Sequence, residues 1–175
     1  PVGHNETYPR LGVSGDTIFL AWQTDSGETP YNLSINWMLL DTEGGILTES
    51  LRWRPDFGDG AVEGNAWMPS VAALPGGGFA LGGSIGLRSN GFSVAVQLFS
   101  QTGEPGEAME VEPVEEGSQY ESTLGTDGEG RIWIAWKESL ELDTVRQAVL
   151  STDGGLQIEQ EPGGTGDQAV QGGPS

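Results

Sequence analysis

The chain has 175 residues, with 26 Asp and Glu against 7 Lys and Arg, for a net charge of −19. With Lys137 its only lysine, it lacks the clustered cations that neutralise phosphates, which excludes nucleic-acid binding. The absence of cysteine excludes disulfides, Cys-based zinc sites and a cysteine nucleophile. No apolar run approaches the roughly 18 residues of a membrane-spanning helix, and 29 glycines with 10 prolines argue against long helices. A Gly-rich, Trp-containing β protein remains.

In chain order, Pro1 opens the sequence without a charged and then apolar leader, so the expectation is a chain processed, trimmed or cloned from something longer, or one only partly observed. Pro9-Arg-Leu-Gly-Val13 and Thr17-Ile-Phe-Leu-Ala-Trp22 predict two short strands. Residues 31–40 predict a third. Tyr31, Leu33, Ile35, Trp37 and Leu39 fall on one face and Asn32, Ser34 and Asn36 on the other, the period-2 signature. The polar turn Asp41-Thr-Glu-Gly-Gly45 leads to a fourth strand over 46–54, stopped by Pro55.

The same order then recurs. Pro69-Ser-Val-Ala-Ala-Leu74 and Phe79-Ala-Leu-Gly-Gly83 are followed by residues 92–99, the turn Gln101-Thr-Gly-Glu-Pro-Gly106 and a short strand at 107–111. Glu121-Ser-Thr-Leu-Gly125 and Arg131-Ile-Trp-Ile-Ala-Trp136 are followed by residues 144–150, the turn Ser151-Thr-Asp-Gly-Gly155 and a strand at 156–159. The starts lie 60 and 52 residues apart. Four strands per repeat at this period predict β-propeller blades. The expected fold is all-β: about three four-stranded antiparallel blades in an incomplete ring or fragment of a larger propeller. The approximate repeats are 5–60, 61–116 and 117–165, with a further one starting over 166–175. Pro174-Ser175 repeats the Pro69-Ser70 that opens the second unit. Three blades do not close a ring, since propellers use about four to eight. The expectation is therefore a larger assembly or a homo-oligomer that completes it.

The run Pro69-Ser-Val-Ala-Ala-Leu74, with Phe92-Ser-Val-Ala-Val-Gln-Leu-Phe99 and Gly103-Glu-Pro-Gly106, resembles propeller-like tandem repeats of bacterial extracellular and surface proteins. Gly83 departs from the pattern, standing where the other repeats have Trp22 and Trp136. The resemblance implies secretion or a cell-surface location, possible Ca²⁺ association, and binding or adhesion. Ser151-Thr-Asp153-Gly-Gly155 also resembles a partial sialidase-type Asp-box, with Ile158 at its aromatic position. In those families the box is structural, and six arginines here show no evident cluster for a sugar carboxylate.

Five tryptophans, Trp22, Trp37, Trp53, Trp133 and Trp136, fall within predicted strands and are assigned to packing between blades. Trp67 follows a polar Gly-rich loop and is a candidate platform for a sugar or protein, with Phe57 the second candidate binding residue. Between them, Asp56, Asp59 and Glu63 offer oxygen ligands for Ca²⁺, with Gly58 and Gly60 to turn the loop, although the spacing matches no EF-hand. The alternative is a solvated acidic loop. Acid pairs at Glu115/Glu116 and Glu138/Glu141/Asp143 are what chance places among 26 acids, so no catalytic residue is assigned. His4, the one histidine, lies near a terminus and is a poor triad member. The sequons at Asn5 and Asn32 are short enough to arise by chance.

Two functions remain. The first is a non-enzymatic binding or assembly module of an extracellular or surface protein, meeting a protein or glycan through inter-blade loops and exposed blade edges. The second is part of a glycan-acting propeller hydrolase or lyase.

Overall fold

The structure, a computed structural model, describes residues 5–25, 33–57, 65–87, 91–111, 118–139, 143–152 and 157–160. The elements it describes are twelve strands. Sheet I comprises β1 (Asn5–Ser14), β2 (Thr17–Asp25), β3 (Leu33–Asp41) and β4 (Leu51–Arg52). Sheet II comprises β5 (Ala66–Ala73), β6 (Phe79–Leu87), β7 (Gly91–Phe99) and β8 (Pro105–Glu110). Sheet III comprises β9 (Ser118–Thr126), β10 (Ile132–Ser139), β11 (Asp143–Ser151) and β12 (Gln157–Gln160). Each is an antiparallel meander in sequence order. Three such blades make an incomplete propeller. Among the described residues no helix is long and apolar enough to cross a membrane.

The alternation of apolar residues explains the stacking, because both faces of sheet II must be covered. Phe79, Leu81, Ile85 and Phe99 meet Phe19, Ile35, Trp37 and Leu39 of sheet I in a first core. There the Phe19 ring stacks on Trp37 with centroids 5.1 Å apart and meets Phe79 at 5.2 Å and Phe99 at 5.1 Å. Ala80, Val94 and Val96 meet Ile132, Ile134, Trp136 and Leu150 of sheet III in a second. Strand β5 lies against sheet I and β9 against sheet II, so the first strands of the three sheets run side by side.

Two expectations need correction. The fourth strand of sheet I is not the nine residues anticipated over 46–54. Only Leu51 and Arg52 are ladder-paired, with a bridge between Ile46 and Leu40. The Thr48 hydroxyl accepts the Leu39 N–H at 2.8 Å, so a side chain takes a bond the ladder would have used. The tryptophans also divide. Trp37, Trp53 and Trp136 are buried between sheets, whereas Trp22 is half-buried and Trp133 is 43% exposed. Both stand on outer faces of the stack, where no neighbouring sheet among the described residues covers them.

Gly83 has a packing reason. A Cβ there would come within 2.5 Å of Ile35 Cδ1 and 3.1 Å of the Trp53 ring. Trp53, entering from beyond β4, takes the space and donates its Nε1–H to Gln97 Oε1 at 2.9 Å.

Candidate functional site

A β-bulge interrupts the first strand of every sheet at the same place. In β1 the register jumps between Thr7 and Arg10, leaving Tyr8 and Pro9 opposite Trp22. In β5 it jumps between Trp67 and Ser70, leaving Met68 and Pro69 opposite Gly83. In β9, Glu121 and Ser122 stand opposite Trp136. Each bulge begins with a non-glycine residue in the left-handed region: Tyr8 at φ 53°, Met68 at 55° and Glu121 at 57°. That conformation costs roughly 1–3 kcal/mol per residue, and such strain concentrates where a fold re-aims side chains at a site.

The three strained residues converge. Together they line a cavity of about 540 Å³ completed by Gln23, Leu33, Asn65, Trp67, Phe92 and Tyr120. They also line a smaller cavity of about 330 Å³ on the side of Arg10, Ser70 and Thr123. The volume of the larger one is that of a small-molecule site.

Hydrogen bonds between sheets hold this region in place. Met68 N–H donates to Gln23 Oε1 at 3.1 Å, and Leu33 N–H donates to Asn65 Oδ1 at 3.0 Å. Val94 N–H donates to the buried Gln119 Oε1 at 3.0 Å. With their oxygens engaged, Gln23 and Asn65 keep amide N–H donors for the cavity. Trp67 packs on Phe92 with ring centroids 3.9 Å apart at 56°. Lys137 Nζ lies 5.1 Å from the Tyr120 ring centroid, placing a cation beside the Glu121 strand. Apolar ring faces, amide donors and a carboxylate together suit a ligand with both C–H faces and hydroxyl groups.

Of the residues singled out from sequence, Trp67 lies in this cavity. Phe57 is half-buried and packs against the first core. Asp56 is exposed, while Asp59 and Glu63 lie outside the described residues. Among the described residues no three His, Asp or Glu side chains gather to hold a metal. Glu138 is buried, with Arg146 Nε 3.5 Å from its carboxylate. Glu115, Glu116, Glu141 and residues 153–155 of the Asp-box lie outside the described residues. Sequence reasoning passed over Tyr8, Gln23, Asn65, Phe92, Tyr120 and Glu121. The available signal was the repeat itself, since Thr7, Trp67 and Tyr120 occupy one repeat position and Tyr8, Met68 and Glu121 the next.

No protein-family model matches the chain, and neither does any curated protein. Solved structures do match in fold. A thermostable family-43 glycoside hydrolase superposes with a TM-score of 0.59 at 13% identity, covering 93% of this chain and 60% of that one. A glycosyl hydrolase from Bacteroides ovatus gives 0.50 at 13% identity, covering 89% and 51%. The hemagglutinin-neuraminidase ectodomain of parainfluenza virus 5 gives 0.51 at 6% identity, covering 84% and 42%. The chain thus spans less than two thirds of each, and what they share is the propeller fold.

Proposed function

We propose that this chain is part of a glycan-acting propeller, working outside the cell, with a saccharide received where the three first strands meet. The observation that carries the reading is the cavity itself, into which equivalent bulges of all three sheets turn Tyr8, Met68 and Glu121 beside Trp67 and Tyr120. Aromatic faces take the C–H face of a sugar ring, and Gln23, Asn65 and Glu121 meet its hydroxyls. The glycoside hydrolases and the neuraminidase of like fold support the same substrate class.

Hydrolysis by the usual route needs two carboxyl groups flanking the bond. Among the described lining residues of the cavity Glu121 is the one carboxylate, which favours a second reading in which this part of the propeller binds without cutting. One experiment addresses both. The purified chain is titrated against a panel of neutral and acidic polysaccharides by calorimetry, and reducing ends are measured in parallel. Binding that weakens about 10- to 100-fold in Trp67→Ala supports the site, equivalent to ~1.4–2.8 kcal/mol. Reducing ends that vanish in Glu121→Gln while binding persists support hydrolysis. Binding without any release of reducing ends supports the second reading, and no binding across the panel overturns both.

A further inference from the structure

The bulges give an exact register between the sheets. Ile18, Leu20 and Trp22 of β2 correspond to Phe79, Leu81 and Gly83 of β6 and to Ile132, Ile134 and Trp136 of β10. On β6 and β10 this face packs on the preceding sheet and is buried. On β2 it is open. Leu11 is 64% exposed beside it, and a groove of about 370 Å³ runs between Pro9, Leu20, Trp22 and Met38. The opposite face behaves conversely. Phe19 and Ala21 of β2, and Ala80 and Gly82 of β6, pack toward the following sheet, while Trp133 and Ala135 of β10 face outward.

Both internal junctions use a knob and a recess. Val71 Cγ1 lies 2.9 Å from where a Cβ on Gly12 would sit, and Leu124 Cδ1 lies 3.1 Å from where one on Gly82 would sit. Val71 and Leu124 stand opposite Leu81 and Ile134, the place Leu11 holds opposite Leu20. Gly12 stands opposite Phe19, the place Gly125 holds opposite Trp133. Leu11 is therefore a third knob that enters no recess among the described residues, and Gly125 repeats the Gly12 recess of the first junction with nothing within 4 Å of its Cβ position, whereas Gly82, the recess of the second junction, corresponds to Ala135 in sheet III.

We propose that a second copy of this chain covers both open faces, sheet I of each copy seated on sheet III of the other, closing a ring of six sheets. Both halves of the junction are carried by this one chain, and it continues the two junctions already formed within it. A heterologous contact of this kind closes when its rotation allows, and six lies within the range of propellers. The proposal is independent of the glycan reading.

The absence of cysteine allows a direct test. Light scattering on the intact chain should give twice 18.4 kDa at micromolar concentration. Leu11→Cys combined with Gly125→Cys should oxidise to a covalent dimer, while Asp16→Cys with Gly125→Cys should not. Leu11→Glu, at an exposed position, should keep the wild-type circular dichroism and weaken association at least 10-fold. A monomeric intact chain would overturn the proposal. So would a dimer unaffected by Leu11→Glu, or a disulfide-linked ladder of trimers and larger species in place of the dimer.

Discussion

Asp127 carries four hydrogen bonds at the β9–β10 turn. Oδ1 accepts from the Glu129 and Arg131 backbones at 2.9 and 3.1 Å, and Oδ2 accepts from Arg131 Nε at 2.7 Å and Trp133 Nε1 at 3.4 Å. The Arg131 side chain is the chief cause, with the backbone donors adding to it, of a carboxyl whose pKa is lowered from 3.8 to about 2. The sign follows from linkage. A depressed pKa stabilises the fold above the unfolded value of 3.8, and the contribution fades as pH falls toward 2. Asp127→Asn should therefore lower the melting temperature most at pH 7, less at pH 3, and little at pH 2. A difference that does not change between pH 7 and pH 2 would mean that the turn responds to the loss of shape and not of charge. Since the Arg131 side chain is 40% exposed, salt should shrink the effect.

At the scale of strands, side-chain bonds from one sheet to the next fix where each element sits. Ser70 of β5 is buried and its Oγ accepts the Leu124 N–H of β9 at 2.8 Å. Thr126 Oγ1, on β9, donates to the Ala73 carbonyl of β5 at 2.8 Å. Ser70→Ala strands the Leu124 N–H at the sheet II–III junction, so it should cost about 1–3 kcal/mol in denaturant unfolding. Urea titration with an unchanged m-value would check this, and a loss below 0.5 kcal/mol would mean that the N–H finds another partner. Such bonds explain what the sequence could and could not reveal. Period-2 alternation in Ile35, Trp37 and Leu39 made β3 legible, and the recurrence of that order made the blades legible. The three turns of like position also carried a signal. Asp41 Oδ1 accepts the Glu43 and Gly45 N–H groups, and Ser100 Oγ accepts those of Thr102 and Glu104, so both cap their turns from the position Ser151 holds in sheet III. The bulges were not legible, because Tyr8, Met68 and Glu121 share no residue type. What they share is the left-handed φ of a bulge, which residue type alone does not announce. The cavity was therefore hidden except at Trp67. The interruption at Thr48 was hidden for a related reason, since a hydroxyl that takes a ladder bond leaves no trace in the hydrophobic pattern.

The molecule as a whole carries 26 acids against 7 Lys and Arg, so most of its negative charge has no cation to neutralise it. Arg131 already holds two acids, Asp127 at 2.7 Å and Glu129 at 2.9 Å. The excess repels itself, and the compact state suffers more than the unfolded chain because folding brings the charges closer. Two effects of salt then oppose each other. Screening weakens pairs such as Arg131–Asp127, and it also weakens repulsion summed over the whole surface. The second should prevail, because a net charge of −19 leaves many more like-charged acid neighbours than there are cations to form ion pairs. The Debye length falls from about 10 Å at 0.1 M salt to about 3 Å at 1 M, below the spacing of most surface charges. The melting temperature should therefore rise by several degrees between 0.05 M and 1 M NaCl, equally with KCl, and most steeply below 0.2 M. If two copies do close a ring, each juxtaposes a second −19 on the first, so association should strengthen over the same salt range. Scattering mass and melting temperature measured on one salt series separate the terms. A rise in melting temperature that does not depend on protein concentration belongs to repulsion within one chain, whereas a rise that grows with concentration belongs to association. A melting temperature that falls with salt would show that the few ion pairs outweigh the excess of acid.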